Sequence, residues 1–477
     1  MKKTKIICTI GPASRDPEIL RRLMTAGMNV CRLNFSHGTQ DEHAGLIKDI
    51  RRVAAEVGHH VAILQDLAGP KIRTGPLAGG PIILKEGAAF RLTNRDVPGD
   101  ETEVGLTFPE LPGIVKAGDT LMLADGLMEL TVESADGTDA NCRVVKGGEL
   151  GSHKGINLPG RSIDAPILSE KDRSDLEFGL AQGVDYIALS FVRNAADIAA
   201  ANQIIASSGK DTPVIAKIEK FEALDHIDEI IAESGGIMVA RGDLGVEIPL
   251  EQVPRAQKMI IAKTNAAAKP VITATQMLRS MVENPRPTRA EVTDVANAIL
   301  DGTDAIMLSE ETAMGRYPVQ AVEVMTRIAA ETEPYFDFEG WTLKFKSNHT
   351  MSFEAAVALA AVEMAHDIDA AAIITCTKSG STTRLVSRHR PRQTLLAMTP
   401  EHKTAQEMSL VFGAEPLITE SVDSGDVLES MAVKAAVAGG YVAKGDAVVI
   451  TAGLPFHVEG TTNIIKIARV GRKDGTL

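Results

Sequence analysis

The sequence predicts an α/β protein: a closed (β/α)₈ barrel of the TIM type, an all-β domain inserted after its third strand, and an open α/β domain at the C-terminus. Three observations predict it. Eight short apolar runs recur, most of them followed by a helical stretch. A stretch of different character interrupts them once, and a new alternation of helix and strand begins at Ser352.

The eight runs are 5–10, 28–34, 61–66, 186–191, 214–219, 237–241, 271–275 and 305–309. They are rich in Val and Ile and continuous rather than alternating. That is the pattern of parallel strands covered on both faces. The stretches 17–26, 169–182 and 250–268 read as helices between them.

Between the third and fourth runs, residues 69–165 are dense in Gly and Pro, with short alternating segments at 121–123 and 130–133. They read as a small β-barrel domain. A loop at that point leaves the C-terminal face of the main barrel, where barrel enzymes carry their chemistry, so the insertion is placed to act as a lid.

A linker with Trp341 follows Glu333. Helices are then expected at 353–366, 382–388, 404–412 and 427–438, and strands at 371–376, 395–398, 416–418, 447–451 and 464–470. The resulting division is barrel 1–68 and 166–340, lid 69–165, and C-terminal domain 341–477.

Composition excludes several function classes. The net charge of −13 argues against a nucleic-acid binder, and one Trp with four Tyr leaves few platforms for base stacking. The four cysteines, Cys8, Cys31, Cys142 and Cys376, show no metal-ligand spacing and read as reduced. The first apolar stretch is too short for a signal peptide, and no stretch reaches membrane-span length, so a cytoplasmic protein is expected.

Polar residues stand at the predicted C-terminal strand ends: Arg32 and Asn34, Asp66, Ser190, Lys217 and Glu219, Arg241 and Asp243, and Thr275. One such residue is ordinarily a turn or a cap. A whole series meeting on one rim describes a site. Glu219 and Asp243 are hard oxygen ligands on neighbouring strands, suited to Mg²⁺ or Mn²⁺. The competing reading is an ion pair of Glu219 with Lys220. Lys217 shares a strand face with Glu219, and an ammonium beside a metal pair suits a transferring phosphoryl group or an enolate. Arg32 and Arg73 are each able to fork onto a phosphate. No Walker-type loop occurs.

Several segments resemble the pyruvate kinase family: KIICTIGPAS with AGMNVCRLNFSHG, GPKIRTG, KGINLPG, AKIE, MVARGDLGVEIP, ATQMLRSM and PRPTRAEVTDVANA. They run in order through the barrel and insertion, and the likeness continues more weakly through the last domain. The resemblance implies transfer of a phosphoryl group from phosphoenolpyruvate to ADP. Arg32 would then bind the substrate phosphoryl group, with Arg73 among the catalytic side chains. Glu219 and Asp243 would hold the divalent metal. Backbone amides of Ala240, Arg241, Gly242 and Asp243 would take the substrate carboxylate. Lys217 would stabilise the phosphoryl in flight and the enolate, and Thr275 would lie where C3 is protonated, acting directly or through a water. Asn34, Phe35, Ser36, His37, Arg73 and Lys154 would contact the nucleotide. The family is usually tetrameric, which implies a homotetramer.

One departure concerns K⁺. Asn34, Ser36, Asp66 and the carbonyl of Leu67 match its usual ligands in the family, whose common wording is DTKGPEIR. Here Lys71 replaces the Glu, and its ammonium is expected to stand in for K⁺. A second departure is Glu310, where the family usually has Gly; the sequence gives it no role. In the last domain, Thr377, Lys378, Ser379, Gly380, Ser381 and Thr382 match the family loop that holds an effector phosphate, with 453–463 expected to close over it. Two rival readings are a metal-dependent carbon–carbon lyase acting on pyruvate, which has no use for the lid or Lys154, and a non-catalytic sugar-phosphate sensor, which has no use for the rim residues.

Overall fold

The structure is a computed structural model that describes residues 2–161, 166–348, 351–421, 425–454 and 461–471. All eight predicted runs are strands of one closed parallel barrel. They are β1 (Lys5–Thr9), β2 (Val30–Asn34), β3 (Ala62–Asp66), β4 (Tyr186–Leu189), β5 (Val214–Ile218), β6 (Gly236–Ala240), β7 (Val271–Ala274) and β8 (Ala305–Leu308). Their apolar continuity has a direct cause. One set of side chains, including Ile7, Leu64, Ile215 and Ile272, fills the barrel interior. The alternate set, including Ile6, Ile63, Ile218 and Ile237, packs under the surrounding helices. Helix Pro17–Ala26 starts where Asp16 accepts from the amides of Glu18 and Ile19, with Pro17 in the first turn. Helices Gln40–Val57, Glu170–Gln182 and Arg289–Leu300 each begin with a reciprocal capping box. The stretch expected as one helix from 250 divides: a 3₁₀ turn, Leu250–Gln252, precedes helix Val253–Ala266, with Pro254 in that helix's first turn.

The insertion has its own hydrophobic core, which includes Phe90, Leu92, Leu121, Leu130 and Val144. Six of its strands form one sheet, and Ile82–Leu84 pairs with Gly148–Leu150 in a second. It also carries a short helix, Leu111–Ile114, so it is not purely β. Its expected end at residue 165 lies outside the described residues, as do residues 455–460 of the predicted effector-covering loop.

The C-terminal sheet has the order Ala414–Ile418, Thr394–Thr399, Ala372–Cys376, Ala447–Gly453, Thr462–Arg469, with only the last strand antiparallel. The expected linker is a helix, Phe338–Asn348, so the division expected at 340/341 falls inside it. Trp341 anchors it, donating from Nε1 to the Arg388 carbonyl (2.8 Å). Gly302 lies so close beneath that a Cβ there would stand 2.4 Å from the indole. The helix expected over 404–412 is instead His402–Met408. The chain leaves the helix because its next residues serve another surface. Leu410 joins the core inside the barrel, closing its N-terminal end.

A buried ion pair fastens this joint. Arg390 grips Asp304 with two bonds of 2.9 and 3.0 Å, also donates to the Gly302 carbonyl, and lies 4.5 Å over the Phe412 ring. Lys5 reaches across to the Ala414 carbonyl (2.6 Å), and Tyr186 donates to the carbonyl of Glu407 (2.8 Å). No helix among the described residues is long and apolar enough to cross a membrane.

Candidate active site

The rim residues form a connected charge network at the C-terminal ends of the strands. Asp66, at the end of β3, is its hub. It accepts from Arg32 Nε at 2.6 Å and from Lys217 Nζ at 3.1 Å. Arg32 also donates to Thr9 Oγ1 (2.8 Å), and Lys217 donates to Ser190 Oγ (2.7 Å). Lys217 lies 3.0 Å from Glu219, whose other oxygen accepts the Phe191 amide at 2.8 Å. The competing pairing of Glu219 with Lys220 is not made: Lys220 pairs with Glu247 at 2.8 Å. β5 and β6 are adjacent and parallel, so Glu219 and Asp243 leave neighbouring strand ends.

Strained turns aim these groups. Phe191 follows β4 at φ 58° and Thr275 follows β7 at φ 70°, both in the left-handed region that non-glycine residues avoid. Thr275 Oγ1 thereby accepts the Gly242 amide (2.8 Å) and donates to the carbonyl of Ala274 (2.6 Å).

Burial would push the Asp66 carboxyl up, yet the Arg32 and Lys217 charges outweigh it and hold Asp66 below its usual range. Burial would pull the Lys217 ammonium down; the Asp66 and Glu219 charges outweigh it and hold Lys217 above its usual range, favouring the cation. Glu219 is pushed up by burial, and the like charges of Asp243 and Asp66 add to the push against Lys217. A dication would relieve that strain. Among the described residues no three His, Cys, Asp or Glu side chains gather as a metal cage. Two carboxylates with water and substrate oxygens completing the shell is the manner in which Mg²⁺ is usually held, so the donor set fits a hard divalent ion.

Other predicted residues stand differently. The Arg241 side chain stays outside the charge network and braces the turn, bonded to Asp294 (2.7 Å) and to the carbonyls of Ala274 and Thr275. Phe35 is buried and stacked on His43 with centroids 3.9 Å apart, so its ring packs and only its backbone remains for a ligand. Asn34 Oδ1 accepts the amide of Ser36 (3.1 Å), and the His37 amide donates to the Asn34 carbonyl. Arg73 and Lys154 sit together on the inserted domain: Arg73 bridges to Gly155 and donates to the His153 carbonyl (3.1 Å), while Lys154 is exposed.

Lys71 lies 3.0 Å from Asp243 and 3.3 Å from Asp125, rather than bonded to Asn34, Ser36, Asp66 or the Leu67 carbonyl; that carbonyl accepts from Ser190. Glu310 pairs with Arg279 at 2.7 Å. In the C-terminal domain, Thr382 and Thr462 share a 2.7 Å hydroxyl bond, Thr404 donates to the Lys378 carbonyl and Arg384 to that of Ser379; Gly380 sits at φ 80° before helix Ser381–Ser387.

Sequence reasoning missed three participants. Thr9 is the polar end of β1, readable by the rule that found the others. The Phe191 amide has no side-chain signal. Asp125 lies in the insertion, where barrel periodicity says nothing.

The pyruvate kinase barrel-domain family model matches residues 1–322, and the pyruvate kinase alpha/beta-domain model matches 355–468. A pyruvate kinase of Clostridium acetobutylicum is 46% identical over 98% of this chain and 99% of its own. One of Staphylococcus epidermidis is 45% identical over 99% of this chain and 81% of its own. The crystal structure of a pyruvate kinase from Cryptosporidium parvum superposes with a TM-score of 0.92 at 41% identity, covering 98% of this chain and 96% of that one. The chain belongs to the pyruvate kinase family, phosphotransferases that convert phosphoenolpyruvate and ADP to pyruvate and ATP.

Proposed function

We propose that the network around Lys217 carries the phosphoryl transfer, and that Glu219 and Asp243 hold the divalent ion it needs. The observation that carries this reading is the Lys217 ammonium, buried yet held charged between Asp66 and Glu219. A permanent buried cation acts as an electrostatic stabiliser rather than as a base. It favours negative charge on the phosphoryl in flight and on the enolate left behind. Mg²⁺ or Mn²⁺, when bound, supplies further neutralisation of the enol and phosphoryl oxygens. Arg32, oriented by Asp66 and Thr9, binds the substrate phosphoryl group. The amides of residues 240–243 receive the substrate carboxylate; Gly242 now gives its N–H to Thr275, a bond the carboxylate replaces. Thr275 guides the proton to C3, and Arg73 and Lys154 meet the nucleotide as the lid closes, with the backbone at Asn34, Phe35, Ser36 and His37.

Lys71 supplies a positive charge between Asp243 and Asp125, and this supports dispensing with K⁺ through charge near the site rather than through occupation of the cation's ligand shell. Phosphate-bearing effectors at residues 377–382 and a homotetramer rest on the family resemblance, and a cytoplasmic location on a first apolar stretch too short for a signal peptide. The test is an assay of pyruvate formation in chelator-treated enzyme. Activity is expected to vanish with chelator, return with Mg²⁺, and proceed in K⁺-free buffer. Activity without any divalent ion would overturn the metal reading, and strong K⁺ activation the Lys71 reading.

A further inference from the structure

Lys71 belongs to the first segment of the lid, next to Ile72 of the lid core, and its ion pair with Asp243 therefore crosses from lid to barrel. Asp125 shares the same ammonium from a lid turn in which three consecutive residues, Ala124, Asp125 and Gly126, have φ of 50°, 56° and 83°. A run of left-handed residues that includes Ala and Asp is costly, so the surrounding contacts must hold it. They do so at two points: the Ala124 amide donates to the Gly155 carbonyl (3.0 Å), and Gly126 lies against Val246, on the short helix that carries Asp243. Gly155 also roofs Lys71 closely, since a Cβ there would stand 2.7 Å from Lys71 Cε. The ammonium is thus confined between two carboxylates, one largely buried and one exposed.

We propose that Lys71 and Asp125 form a lid latch worked by the divalent ion. Lys71 competes with the metal for the Asp243 carboxylate, and Asp125 is the positioning residue onto which the ammonium shifts when the metal arrives. The inference rests on Asp243 being a metal ligand. A dication at Asp243 repels Lys71, and a waiting carboxylate at 3.3 Å lowers the cost of that displacement. Metal entry is thereby coupled to the seating of the 124–126 turn.

The test is a double-mutant cycle read by Mn²⁺ binding, using electron paramagnetic resonance of free Mn²⁺ and the full chain without substrates. Lys71→Met is expected to tighten Mn²⁺ about tenfold, by removing the competing charge. Asp125→Asn is expected to weaken it about threefold in the wild-type background and to change nothing in the Lys71→Met background. An unchanged affinity in Lys71→Met overturns the latch. So does equal weakening by Asp125→Asn in both backgrounds, which would make Asp125 a direct attractor of cations. Glu219→Gln separates the two levels. If it weakens Mn²⁺ while the cycle is flat, the latch alone fails; if it leaves Mn²⁺ untouched, the metal site falls and the latch with it.

Discussion

Lys217→Met is expected to lower kcat by about 10²–10³-fold or more, with phosphoenolpyruvate affinity little changed. Methionine keeps the length of the side chain and removes its charge. The Lys217 ammonium is buried, fixed by Asp66, Ser190 and Glu219, and needs no reorganisation when negative charge develops near it. Charge arranged in advance in a site shielded from water contributes chiefly to the transition state, so the loss belongs in kcat. Metal must be saturating in the measurement, because the variant also strips Asp66 and Glu219 of a partner. A rise in KM with kcat unchanged would reassign Lys217 to ground-state binding.

Arg390→Met is expected to cost about 3–5 kcal/mol of stability, the usual penalty for stranding one member of a buried ion pair. Asp304 would be left in the joint between barrel and C-terminal domain with the backbone amides of Val271 and Phe412 as donors, which cannot neutralise it. Urea denaturation should show a lowered midpoint. Adding Asp304→Leu should recover part of the loss, because then no charge is stranded. A single variant as stable as the parent would mean that the ion pair does not fasten the joint.

The barrel was legible because both faces of each strand are buried, which writes an uninterrupted apolar run. The rim residues were legible because a closed parallel barrel sends the C-terminal ends of its strands to one face. That geometry brought Arg32, Asp66, Lys217 and Glu219 together as expected. The direction of a side chain past the strand end was not legible. The Arg241 guanidinium does not join the charge network; it braces Asp294 and the carbonyls of Ala274 and Thr275. Phe35 looked like part of a ligand loop and is packing. In the same way Leu410 continues an apolar helical pattern, and only the barrel beneath explains why the helix stops before it. Asp125 was invisible for another reason: its partner lies over fifty residues away in sequence, and a pairing between two turns leaves no periodic trace.

The pairing of Glu219 with Asp243 as holders of the divalent ion is tested most directly by Mn²⁺ titration of Glu219→Gln and Asp243→Asn. Each is expected to weaken binding by at least about 10–100-fold, the loss typical of disturbing even the outer surroundings of a metal. Parental affinity in either variant would contradict the account at its centre.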